Sequence, residues 1–160
     1  MNWAEFAAAA PELAVTGRDR LLGPGVGLLG TLRRDGSPRI SPCELFIVDG
    51  ELMLGMMWQS RKASDLLRDP RIVVHSAVTN REGTEGDFKL YGRVRDVTDP
   101  GVRDRYADTL QEAIDWRPTE PFHLFALHIE SAGYVVFGDD QHALVWDPDR
   151  GMRRLPIDGS

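Results

Sequence analysis

Between Gly25 and Val78 the apolar and polar positions fall into short runs separated at close intervals by turn residues. Val26–Arg33, Arg39–Val48 and Glu51–Met57 read as three strands, with Asp35-Gly36 and Asp49-Gly50 in the gaps between them. Asp-Gly between apolar runs is a strong hairpin signal, because both residues tolerate the positive φ that a tight turn demands. After Gln59-Ser60-Arg61-Lys62-Ala63 a short helix is predicted over Ala63–Arg68, stopping at Asp69-Pro70. The segment Ile72–Val78 then returns the chain to a sheet. Upstream, Trp3, Phe6, Ala7 and Ala10 share one helical face. Pro11 suits the first turn of a second helix carrying Leu13, Leu21 and Leu22, which Gly23-Pro24-Gly25 ends. Residues 1–22 therefore read as a helical lid packed on the sheet, without chemistry of its own.

Downstream of a Gly- and Glu-rich loop, Thr79–Gly86, the stretch Asp87–Val97 alternates as a half-buried strand does. Asp99-Pro100 supplies an N-cap and an N1 proline for a helix with Val102, Tyr106, Leu110, Ala113 and Ile114 on one face. Trp116–Pro121 reads as a loop that borders a pocket. Leu124–Ile129 and Tyr134–Phe137 read as two strands, and Ala143–Trp146 with Met152–Leu155 as a last hairpin. The pattern predicts a mainly β, antiparallel fold of six or seven strands with two or three helices.

A chain of 160 residues that is 42% hydrophobic is long enough for one domain with a proper core. Its formal charge of −6 argues against nucleic acid as a main partner. No apolar run is long enough to span a bilayer, and the N-terminus lacks a basic region followed by an apolar core. The single cysteine, Cys43, fits a reducing, cytoplasmic setting. Lysine is nearly absent and arginine frequent, so most positive charge sits on forks shaped for carboxylate or phosphate.

Candidate chemistry gathers around Ser60-Arg61-Lys62. A hydroxyl and two cations at the start of a helix make an anion-binding corner, although a basic pair on a turn is also a common solvated feature. In the second strand Arg39, Ser41 and Cys43 share one face, and Pro38 and Pro42 cannot donate to a ladder, so this strand should be an edge or bulged. Cys43 reads first as a small buried hydrophobe. The Met-rich third strand ending at Trp58 is either ordinary core or the lining for a flat aromatic ligand. His75, His123, His128 and His142 show no ligand spacing, and no zinc, triad or Walker signature is present.

The order of these features resembles the pyridoxamine 5′-phosphate oxidase-like family of flavin-binding split barrels, most of all its small actinobacterial-type members. The residues that carry the resemblance are Thr31–Arg39, Asp49–Leu54, Ser60-Arg61-Lys62-Ala63 and Leu67-Arg68-Asp69-Pro70-Arg71, within a match from Gly25 to Val97 that loosens towards Phe137. The resemblance implies a homodimer with the cofactor groove shared between subunits, and FMN or the deazaflavin F420 as cofactor. It implies cofactor contacts from Arg39, Ser41 and Cys43 on the second strand, Gly55 and Met56 on the third, and Ser60, Arg61 and Lys62 at the phosphate. Asp87 and Lys89 would reach a flavin held mainly by the partner. Gly55-Met56 departs from the hydroxyl-bearing residues of the true oxidases, and Gly151–Ser160 does not reproduce their substrate-binding tail. The expected activity is hydride transfer to or from a small organic molecule, the ring supplying the chemistry. The alternatives are a non-catalytic flavin binder, a cofactor-free barrel and, last, a haem-handling barrel.

Overall fold

The computed structural model describes residues 1–157. Eight strands make one antiparallel sheet: β1 (Val26–Leu32), β2 (Pro38–Val48), β3 (Glu51–Met57), β4 (Arg71–His75), β5 (Asp87–Asp96), β6 (Phe122–Val136), β7 (His142–Asp147) and β8 (Gly151–Pro156). Their order is β3-β2-β1-β4-β5-β6-β7-β8, and β3 pairs again with β6. That second pairing closes the first six strands into a barrel and leaves β7 and β8 as a wing, the split barrel that the resemblance implies, with eight strands where six or seven were expected and four α-helices where two or three were. Four α-helices accompany it: α1 (Trp3–Ala9), α2 (Pro11–Gly17), α3 (Arg61–Arg68) and α4 (Pro100–Ile114). Among the described residues no helix is long and apolar enough to cross a membrane.

Local chemistry fixes the punctuation. Val48 pairs with Glu51, so Asp49 and Gly50 form a two-residue turn, and both take positive φ (52° and 77°) as a tight hairpin requires. Asp99 caps α4 through its Oδ1, which accepts from Val102 N at 2.9 Å. The strand β4 is shorter than the expected Ile72–Val78. Ser76 still exchanges bonds with Phe88, but Phe88 N donates to its hydroxyl and not to its carbonyl, and the ladder ends there.

Two further expectations are corrected. Leu124–Ile129 and Tyr134–Phe137 are one strand, β6, which absorbs the polar break as a bulge: Tyr91 faces Ser131 and Gly92 faces Ile129, leaving Glu130 extra. The second N-terminal helix does not run unbroken to Leu22, because residues Arg18–Leu22 widen into a π turn.

The barrel interior holds Leu29, Leu45, Leu54, Val74, Leu90 and Phe125, joined by Trp3, Phe6 and Leu13 from the N-terminal helices and by Ala63 and Leu66 from α3. Phe6 is fully buried and meets Trp146 edge-on at 5.2 Å, so its burial alone contributes about 1.5–3 kcal/mol. A second, smaller cluster lies on the outer face of β3 and β6, where α4 lays Tyr106 and Leu110 over Met53, Leu124 and Ala126. The site grows along the seam between these two clusters.

Candidate functional site

The end of β3, a left-handed turn and the start of α3 form one corner. Gln59 takes φ 54°, turning the chain so that Ser60 becomes the N-cap of α3. The helix begins at Arg61, two residues before the expected Ala63, so Arg61 and Lys62 occupy its first turn. Ser60 makes no capping bond, and its Oγ is buried without a hydrogen-bond partner. Arg61 is exposed and makes no ion pair among the described residues. Lys62 Nζ donates to the Pro42 carbonyl on the neighbouring strand. A buried hydroxyl without a partner, a guanidinium without an ion pair among the described residues and an ammonium thus follow one another at the start of α3, beside its free N–H groups. Such a corner favours an anion with several oxygens.

The other cations nearby have a different fate. Arg39 Nε donates to Asp65 Oδ2 at 2.7 Å, Thr31 adds a bond at 3.0 Å and Arg68 one at 3.2 Å. Asp65 is only 4% exposed. Burial pushes its carboxyl up, but the bonds from Arg39, Thr31 and Arg68 outweigh that and hold it below the usual carboxylate range. Arg39, a residue the resemblance offers for cofactor contact, thus ties β2 to α3 through its Nε. Cys43 lies on the same inward-facing side, its thiol bonded to the Gly55 and Glu44 carbonyls at 3.4 Å. Burial raises that thiol to about 11, so it stays protonated and inert. Ser41, between them in the alternation, is half-buried.

Next to the corner, a cavity of about 440 Å³ opens on the outer face of β2 and β3. Its walls include Gly55, Met57, Trp58, Tyr106, Trp116 and Phe122, and the segment from Pro118 to Pro121 closes one side, as expected of that loop. Gly55 is required here, because a Cβ at this position would collide with the Tyr106 hydroxyl. Met56 is 4% exposed and serves both cavity and barrel core. Burial pushes the Tyr106 phenol well up, so it remains a neutral hydroxyl.

Asp87 and Lys89 stand apart from this corner, on β5. They pair at 2.7 Å, His75 Nε2 lies 3.5 Å from the same carboxylate, and Asp87 Oδ1 is buried without a partner. His75 sits on β4 with its Nδ1 against the Ser76 carbonyl, packed as a strand histidine is expected to be.

The family model for pyridoxamine 5′-phosphate oxidase matches residues 16–136. The chain belongs to that family. No curated protein matches the sequence. Among solved structures, a pyridoxamine 5′-phosphate oxidase-related, FMN binding protein from Nostoc punctiforme is 17% identical, with a TM-score of 0.65 over 99% of this chain and 100% of its own. A Clostridium acetobutylicum protein related to general stress protein 26 is 14% identical, with a TM-score of 0.66 over 84% of this chain and 94% of its own. A heme binding protein from Mycobacterium smegmatis is 17% identical with a TM-score of 0.58; the match covers 80% of this chain but 56% of that one. At these identities the likeness is one of fold.

Within this pyridoxamine 5′-phosphate oxidase-family barrel, the structure brings Ser60, Arg61, Lys62, Gly55 and Met56 to one end of β3 and leaves Asp87 and Lys89 on a different strand. Sequence reasoning missed Glu44, Tyr106 and Phe122 as cavity walls. The Trp116–Pro121 loop was expected to border a pocket, and it does.

Proposed function

We propose that the chain binds FMN, or a deazaflavin of the F420 type, and works as an oxidoreductase on a small organic molecule. The observation that carries this reading is the buried, unpartnered Ser60 Oγ at the N-cap of α3, followed at once by Arg61, which makes no ion pair among the described residues, and by Lys62. The phosphate would accept from Ser60, Arg61, Lys62 and the first N–H groups of α3. The ring would extend past Gly55, Met56 and Trp58. Bound flavin supplies the hydride chemistry, and the residues of this chain supply position, charge and a dry wall.

A homodimer belongs to the same proposal. Register places Ile40 beside Gly30, Gly30 beside Val73 and Val73 beside Tyr91, so these side chains form one outward row. Ile40 is 74% and Tyr91 46% exposed, an apolar row suited to a second copy. Asp87 and Lys89 lie on the same outer face, where a second copy would bring them towards its cofactor.

The test is spectroscopic. Purified protein titrated with FMN, F420 and hemin should bind one of the first two. Arg61→Ala and Lys62→Ala should each weaken that binding about ten- to a hundredfold, the worth of a charge-assisted bond of about 1.5–3 kcal/mol. Equal binding by the wild type and the double variant would end the phosphate-anchor reading. Haem is the competing occupant, and no histidine lines the cavity among the described residues. Tight hemin binding with no flavin binding would favour it.

A further inference from the structure

We propose that the cavity beside α4 is a binding site for a small organic cation with a planar apolar body, such as an arylalkyl amine. Its use as a substrate site rests on the flavin reading above; the binding itself does not. A volume of about 440 Å³ suits a compact organic molecule. Its aromatic walls are Trp58, Tyr106, Trp116 and Phe122, and its charged residues are Glu44 and Glu120. Lysine, arginine and histidine are absent from its lining among the described residues.

The neighbouring guanidinium groups are engaged elsewhere. Arg117 pairs with Asp108, and Arg105 pairs with Asp49 at 2.7 Å. Arg103 donates to the Val97 and Phe122 carbonyls at 3.0 and 2.7 Å. Arg103 keeps its charge and lies 4.2 Å over the Phe122 ring, but no cation lines the cavity itself among the described residues, so an anionic guest would meet two carboxylates and the faces of Trp58, Tyr106 and Trp116. A cation gains from both, since ring faces attract positive charge and the carboxylates neutralise it. The neutral Tyr106 hydroxyl and the Thr119 hydroxyl add polar partners without a net charge. The same logic turns away phosphorylated guests, which leaves the phosphate to the Ser60 corner.

The test needs no cofactor. The cofactor-free protein is titrated with naphthylmethylammonium, naphthylmethanol and naphthoate, which share one ring system and differ in charge. Emission of Trp58 and Trp116 reports binding, because Trp3 and Trp146 are buried in the core. The ammonium should bind about tenfold tighter than the alcohol, and the carboxylate more weakly than either. In the double variant Glu44→Gln, Glu120→Gln the preference of ammonium over alcohol should fall to about two- to threefold, the part the ring faces supply, while alcohol affinity and melting temperature hold. Equal binding of ammonium and carboxylate, an undiminished preference in the double variant, or no binding of any probe overturns the proposal. Loss of FMN binding with a preserved ammonium preference would instead remove the flavin reading alone.

Discussion

Two groups of arginine and lysine flank the same short helix and have opposite fates. On one side Arg39 and Arg68 close on the buried Asp65, with Thr31 completing the shell. On the other, Arg61 has no carboxylate among the described residues and Lys62 holds only a backbone carbonyl, while Ser60 keeps a buried hydroxyl unused. The difference lies in whether the fold supplies an internal anion. Where it does, the cation fixes helix to strand; where it does not, positive charge and a donor are left for something from outside. Residue type alone does not separate Arg39 from Arg61, and only the long-range partner does.

The largest effect expected from breaking this contrast is at Asp65. Asp65→Ala should destabilise the fold by about 3 kcal/mol, the low end for a broken buried pair because Arg39 and Arg68 keep some contact with water, measured by urea denaturation. Asp65→Asn adds a pH signature. The folded carboxyl is depressed, so its contribution is full above the unfolded value near pH 4 and is lost as pH falls through the folded value. The stability gap between wild type and Asp65→Asn should be constant at neutral pH and shrink below about pH 4; a gap that widens in acid would contradict the network.

At the open corner the expected balance is reversed. The Arg61→Ala, Lys62→Ala double variant should unfold within about 0.5 kcal/mol of wild type and still lose flavin. A collapse of stability would mean that these cations are structural after all. Smaller again, Ser60→Ala should leave the cofactor-free protein unchanged, since the hydroxyl caps nothing, yet weaken flavin binding severalfold. Smallest of all, Arg34→Ala on the exposed β1–β2 turn should alter neither property.

Features set by neighbours in the chain were legible from the sequence. The Asp49-Gly50 turn, the Asp99 cap and the helical face of Trp3, Phe6 and Ala10 each follow from residues a few positions apart. What escaped depends on distance or on tolerance. Arg39 and Asp65 lie 26 residues apart with no local pattern to join them, so the ion pair that anchors α3 to β2 was not legible. The polar stretch around Glu130 read as a strand end, because a bulge keeps pairing across residues that alternation alone would reject. For the candidate site, Ser60-Arg61-Lys62 was visible as a motif. The cavity was not, since its walls come from β2, β3, α4 and the loop after it.

The prolines of β2 have a consequence for how the protein behaves in a crowd. Leu45 N donates to Gly25 O and Arg33 N to Ser37 O, so the odd-numbered residues of this half-strand direct their backbone groups to β1 and the even-numbered ones outward. Pro38 and Pro42 fall on outward positions, where they remove two donors, and the outward Pro42 carbonyl is already taken by Lys62. A foreign strand approaching this margin finds hydrogen-bonding groups at Ile40 with a gap on either side, because the Glu44 carbonyl already accepts from the Cys43 thiol. Runaway polymerisation through backbone pairing is thereby discouraged at an edge the barrel leaves open, and the lysine expected to hold a cofactor also guards that edge.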